Sequence, residues 1–173
     1  MLVDMSSGKN ESDVTKPTAL LVEDNPHLQT TMAKQLRLMG FRVLSAKHHD
    51  AALSHLGACE PNIACIDVQL PCKSGYQVCE YIRATLGLLR LPILMTSDRG
   101  DPTEMAYAEE AGANAFLCKP FSMHDFTDCI HSLFHALAWS ARSIHELKPL
   151  EWMVAMPKHA ADQSGVFWSV SAA

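Results

Sequence analysis

The sequence predicts an α/β fold: a parallel sheet with helices on both faces. Three observations carry that reading. Short apolar runs alternate with longer stretches of helical periodicity, the alternation repeats five times within about 120 residues, and four of the five runs end in polar or charged groups. Strands separated by helices run in parallel, because each crossover returns the chain to the edge from which it started.

The first run, Ala19-Leu20-Leu21-Val22, is followed by Leu28, Met32, Leu36 and Met39 at helical spacing, stopped by Gly40. Phe41 to Ala46 forms the second strand, with a helix over Asp50 to Leu56. Ile63 to Ile66 is the third, and the helix over Tyr76 to Leu86 carries Val78, Cys79, Ile82 and Leu86. Ile93 to Met95 precedes a helix near Thr103 to Ala111. Ala115 to Leu117 closes the series, with a helix from Ser122 bearing Phe126, Ile130, Leu133 and Leu137.

A chain of 173 residues holds one full core with tails, so three segments are expected: a flexible polar leader over 1–17, one domain over 18–137, and an appendix over 138–173. The leader contains Ser6 to Asp13, too poor in apolar surface to offset its ordering entropy. The appendix extends the last helix toward Pro149. It then offers two short apolar runs, Glu151 to Met156 and Val166 to Val170, that fit a hairpin, a strand with a helical turn, or a segment ordered by a partner. With 48% apolar and 19% charged residues and a net charge of −5, the composition is globular and lacks the basicity of a nucleic-acid binder. The stretch after Leu137 is too short for an output domain of the usual size, so no nucleic-acid partner is expected. Six scattered cysteines without a Cys-x-x-Cys spacing indicate neither a zinc site nor a disulfide framework. The absence of an apolar signal region or a membrane-length run points to a cytoplasmic protein with no membrane span.

In a sheet of this kind, ligands bind at the carboxyl ends of the strands. There the first strand delivers Glu23-Asp24, the third Asp67, the fourth Thr96-Ser97 and the fifth Lys119-Pro120, whereas the second ends in Ala46-Lys47. Three carboxylates in one cleft need a cation to stay ionised, and oxygen-only ligands select a hard ion such as Mg²⁺. An aspartate beside such a metal can attack a phosphoryl group to form an acyl phosphate, with Lys119 and Thr96 stabilising the phosphoryl oxygens. Taken singly, these residues have plainer readings: Glu23-Asp24 as a helix cap and Asp67 as a turn former. No GxGxxG or Walker-type segment is present, which argues against a nucleotide-binding enzyme.

Glu23-Asp24 after an apolar strand, Asp67-x-x-x-Pro71-x-x-x-Gly75, Thr96-Ser97, Ala111-Gly112-Ala113 and Lys119-Pro120 together resemble the receiver domains of two-component response regulators. The resemblance spans 18–137 and implies a flavodoxin-like five-stranded sheet of order 2-1-3-4-5, with Mg²⁺ as cofactor. It implies that Asp67 is phosphorylated by a sensor histidine kinase. Asp24, Asp67 and the main-chain carbonyl of Gln69 would then bind the metal directly, and Glu23 mainly through water. It further implies a cis Lys119-Pro120 bond, a third helix starting at Gly75, where the lack of a Cβ lets the backbone turn tightly, and a switch in which Thr96 moves toward the phosphoryl group while Phe116 turns into the vacated space. Gln69 and Asp98 occupy positions that in the family influence attack by water on the acyl phosphate, and so the phosphate lifetime. The protein is thus expected to be a signalling switch rather than an enzyme, acting on a downstream protein target by phosphorylation-dependent contact. The alternatives are a relay passing phosphate to a histidine phosphotransfer protein, an FMN-binding flavodoxin-like protein, and, for the assembly, a homodimer.

Several residues outside that set admit a second reading. Cys72 and Cys118, near Lys119 or the Asp67 loop, could act as redox sensors or pack as small hydrophobes. His131 and His135 stand four apart on the last helix without a third ligand at suitable spacing. His48-His49 and His27 read as surface residues.

Overall fold

The protein is described here by a computed structural model that covers residues 16–142 and 153–155, with backbone alone for 135–142 and 153–155. Strands β1 (Thr18–Val22), β2 (Arg42–Ala46), β3 (Ile63–Asp67), β4 (Ile93–Ser97) and β5 (Ala115–Cys118) alternate with helices α1 (Pro26–Leu38), α2 (His49–Ala58), α3 (Gly75–Glu80), α4 (Pro102–Glu110) and α5 (Met123–Arg142). The strands pair in parallel in the order β2-β1-β3-β4-β5, as expected. A sixth strand, β6 (Met153–Ala155), adds in parallel to β5 and sets Val154 beside Phe116. Part of the appendix therefore joins the sheet. The rest of it, including Val166 to Val170, and the leader up to Thr15 lie outside the described residues.

Side-chain alternation sorts the core into two layers. Leu20, Val22, Ala64, Ile66, Ile93, Met95 and Phe116 point to one face and pack on α2, α3 and α4. Ala19, Leu21, Ile63, Cys65, Leu94, Ala115 and Leu117 point to the other, where α1 supplies Met32 and Leu36 and α5 supplies Phe126, Ile130 and Leu133. β1, β3 and β4 are buried along their whole length, which is why they read as unbroken apolar runs rather than alternating ones. Each large side chain so enclosed contributes about 1.5–3 kcal/mol of transfer free energy.

One helix departs from its periodicity. The stretch expected as a single helix over Tyr76 to Leu86 is α-helical only to Glu80, and Tyr81–Thr85 opens into a π-helical turn closed by the Leu86 N–H on the Tyr81 carbonyl at 3.1 Å. Arg83 lies in that turn and donates to the carbonyls of Gly112 (2.8 Å) and Leu88 and to Asn114 Oδ1 (2.8 Å). Three directed bonds to the segments around β4 and β5 offset the poorer helical geometry. No helix among the described residues is long and apolar enough to cross a membrane.

Candidate functional site

β1 and β3 are neighbours, so their carboxyl ends bring Glu23-Asp24 and Asp67 together, and β4 lays Thr96 directly beside Asp67. One oxygen from each of Glu23, Asp24 and Asp67 falls within 4.8 Å of the others. Glu23 and Asp67 are buried and Asp24 is exposed at the mouth. The helix-cap reading of the first pair fails, because Asn25 caps α1: its Oδ1 accepts from the N–H groups of His27 (3.0 Å) and Leu28 (3.2 Å). Glu23 instead accepts from the Asn25 N–H through Oε1 at 3.1 Å. The Gln29 carboxamide ties the ends of β1 and β2 by donating to the carbonyls of Glu23 (2.8 Å) and Ala46 (2.9 Å).

Lys119, arriving from β5 through a cis bond to Pro120, donates from Nζ to Asp67 Oδ2 at 2.8 Å and stands 3.0 Å from Glu23 Oε2. The second contact is a close ion pair, so the one ammonium is shared between two buried carboxylates. Asp67 Oδ1 accepts from the Gln69 N–H at 3.2 Å. Burial pushes the Asp67 carboxyl up to about 6 and Glu23 adds repulsion, against the hydrogen bond from Lys119 that pulls it down. For Lys119, burial alone would lower the ammonium, but the bond to Asp67 and the charge of Glu23 hold it above the usual lysine value.

Three carboxylates against one ammonium leave this cluster with surplus negative charge. That donor set fits a divalent, oxygen-seeking ion. Thr96 is 1% exposed and its Oγ1 has no hydrogen-bond partner among the described residues, so a buried hydroxyl beside Asp67 is left without a bond. Phe116, one residue before the neighbour of Thr96 in the β4–β5 register, is fully buried. The cleft over these groups encloses about 700 Å³ and is lined also by Gln69, Asp98, His27 and Pro120.

Gly75 begins α3 as expected, but for a different reason from a tight turn. A Cβ there would lie 2.0 Å from the Asp67 carbonyl oxygen, so the helix start rests directly against the backbone of Asp67. The redox reading of Cys118 fails, since burial pushes its thiol up rather than down. Cys72 is exposed with φ of 69°. The His135 side chain lies outside the described residues.

Glu104 escaped the sequence reading, and so did the use made of Ser97. Ser97 and Glu104 form a hydrogen-bonded pair between β4 and α4, and Gln69 Nε2 donates to Ser97 Oγ at 2.8 Å.

A family model described as the response regulator receiver domain matches residues 19–131. The transcriptional regulatory protein AfsQ1 of Streptomyces coelicolor is 33% identical over 104 residues, covering 60% of this chain and 45% of that protein. The probable transcriptional regulator ycf27 of Cyanophora paradoxa is 29% identical over 121 residues, 70% of this chain and 49% of its own. The chain thus spans about half the length of the curated relatives it matches. Among solved structures, a CheY-like receiver domain protein from Methanospirillum hungatei superposes with a TM-score of 0.67 at 19% identity, covering 73% of this chain and 99% of that one. Chemotaxis response regulator CheY4 of Vibrio cholerae does so with 0.65 at 22%, covering 69% and 99%, and both likenesses concern the fold.

Proposed function

Because the chain belongs to the response regulator receiver family of two-component systems, we propose that it is a switch in which Asp67 accepts a phosphoryl group from a partner histidine kinase in a Mg²⁺-dependent reaction. The observation that carries this reading is the pairing of Asp67 Oδ2 with Lys119 Nζ at 2.8 Å inside a cluster of carboxylates whose charge one lysine does not balance. Asp67 supplies the attacking oxygen, and Lys119 stands where charge develops on the phosphoryl oxygens. Glu23, Asp24, Asp67 and the Gln69 carbonyl would hold the ion, which supplies neutralising charge and alignment of the donor. The unbonded Thr96 hydroxyl gains a partner when the phosphoryl group arrives. A partnerless buried donor supports its movement toward that group, with Phe116 following into the space released.

The readout is a phosphorylation-dependent contact with a downstream partner. The expectation from the sequence is a protein target, and the curated relatives, named as transcriptional regulators, add DNA-directed output as a reading for the longer proteins of which such a domain forms half. A phosphate relay to a histidine phosphotransfer protein uses the same Asp67 and is distinguished by transfer of label from Asp67 to such a partner.

Incubation with acetyl phosphate and Mg²⁺, read by intact mass, tests the proposal. The wild-type chain gains one phosphoryl group and Asp67→Asn gains none. A folded wild-type chain that binds Mg²⁺ and gains no mass would refute it.

A further inference from the structure

Gln69 follows Asp67 by two residues in the loop after β3, and its side chain is the end of a hydrogen-bonded chain that starts on α4. Gln69 Nε2 donates to Ser97 Oγ at 2.8 Å, and the Arg99 N–H donates to the same oxygen at 3.1 Å. A hydroxyl has one proton and two lone pairs, so with both lone pairs occupied by donors its proton has a single use. It is donated to Glu104 Oε2. Ser97 is fully buried and the Glu104 side chain is 12% exposed, so neither bond is readily exchanged for water. Glu104 is itself fixed. Its N–H bonds the capping Asp101 carboxylate at 3.1 Å, its carbonyl accepts from the Tyr76 hydroxyl at 3.3 Å, and its second carboxylate oxygen faces Arg99 Nε at 3.7 Å.

At the other end of the relay, the direction of the Gln69 carboxamide is set. Its Nε2 is committed to Ser97. Its Oε1 receives only a long contact of 3.4 Å from the Asp98 N–H and keeps acceptor capacity at the edge of the cleft, which Gln69 and Asp98 both line. A glutamine side chain has three rotatable torsions before its amide, and holding them in one arrangement is worth more than the bonds alone when the amide must meet a reacting molecule.

We propose that Glu104, acting through Ser97, is a positioning residue for the hydrolysis of the aspartyl phosphate: it holds the Gln69 carboxamide so that Oε1 orients the attacking water. This inference rests on the reading of Asp67 as phosphoacceptor. In the step concerned, the water oxygen forms a bond to phosphorus as the bond from phosphorus to the Asp67 carboxylate oxygen breaks. The bonding pair returns to the carboxylate, inorganic phosphate leaves, and the surplus water proton passes to solvent. Glu104 touches none of the reacting atoms. When it is removed, the Ser97 proton loses its acceptor and the hydroxyl turns, so the Gln69 amide loses its fixed partner.

The test measures two rates on the full chain: gain of phosphoryl mass with acetyl phosphate and Mg²⁺, and its loss after the donor is removed. Glu104→Ala is expected to slow the loss about threefold to tenfold while the gain stays within twofold of wild type, a split that a general weakening of the fold would not produce. Glu104→Gln keeps an oxygen that accepts from Ser97 and is expected to restore most of the rate, which covers the case in which the alanine variant folds poorly. In a Gln69→Ala background, Glu104→Ala should have no further effect, because the residue through which it acts is gone. The proposal is overturned if Glu104→Ala and Glu104→Gln lose phosphate equally fast as wild type, or if the slowing persists in full without Gln69. It also falls if wild type gains no phosphoryl group at all, and in that case the Asp67 reading falls with it.

Discussion

At the carboxyl ends of β1, β3 and β5 the chain buries Glu23 and Asp67 against a partly buried Lys119, whereas at the opposite ends of the same sheet it uses neutral amides. Asn62 Oδ1 accepts from the Thr18 N–H at 2.7 Å, and Asn114 Oδ1 accepts from the Ile93 N–H at 2.9 Å and from Arg83. Each amide there serves a strand start that would otherwise lack a partner. The cleft at that end encloses about 370 Å³ among Pro61, Leu88 and Pro92, and its charges are Glu60 and Arg90, one of each sign. Among the described residues, Glu23, Asp24 and Asp67 make the one group of three or more candidate metal-ligating side chains. The difference is one of satisfaction rather than polarity. Groups at the amino ends complete one another, while those at the carboxyl rim leave a surplus of negative charge and, among the described residues, an unbonded threonine hydroxyl.

That contrast breaks most severely at Lys119. Lys119→Ala strands two buried carboxylates, so it should cost about 3 kcal/mol at pH 8 in a urea titration and reduce phosphorylation sharply. At pH 5 the loss should shrink, because Asp67 is then protonated. A loss of equal size at both pH values would mean that the lysine stabilises by packing.

The titration of Asp67 gives the next largest effect. Its folded value of about 6 lies above the ordinary 3.8, so the folded protein holds a proton that the unfolded chain releases. Stability owed to this group is complete below the unfolded value and is lost as pH rises toward and through about 6. Thermal melting in EDTA should therefore show this decline across that interval, and Mg²⁺ should recover it at pH 7.5. Calorimetric Mg²⁺ affinity should fall as pH drops through the same value, since proton and metal compete for one carboxylate.

The smallest effect belongs to the opposite end. Asn62→Ala removes one partly buried bond and should lower stability by about 1 kcal/mol with no change in phosphorylation rate. A matching fall in rate would show that the two ends are coupled and that the separation drawn between them is wrong.

The rim was legible in the sequence because each of its residues closes an apolar run, and the run itself announces the strand that delivers it. Glu23, Asp24, Asp67, Thr96 and Lys119 are therefore found from one-dimensional pattern alone. The link from Gln69 through Ser97 to Glu104 was not, since α4 lies about three dozen residues beyond Gln69. The π-helical turn at Tyr81–Thr85 was hidden for a related reason. Its apolar residues keep helical spacing, and what widens it is Arg83 reaching Gly112 and Asn114, partners that no local window contains. Strand β6 is three residues long, too short for alternation to declare itself. Gly75 was placed correctly but explained by turning, whereas the structure makes it a matter of room beside the Asp67 carbonyl.

The central claim is that Asp67, and no other carboxylate of the rim, carries the phosphoryl group. Borohydride reduces an acyl phosphate to an alcohol, so phosphorylated chain treated with it and mapped by peptide mass spectrometry reports the acceptor directly. Homoserine is expected at position 67 in the phosphorylated sample and aspartate there in an unphosphorylated sample treated the same way. Homoserine at position 24, or a phosphorylated chain whose residue 67 is unreduced, would contradict the claim.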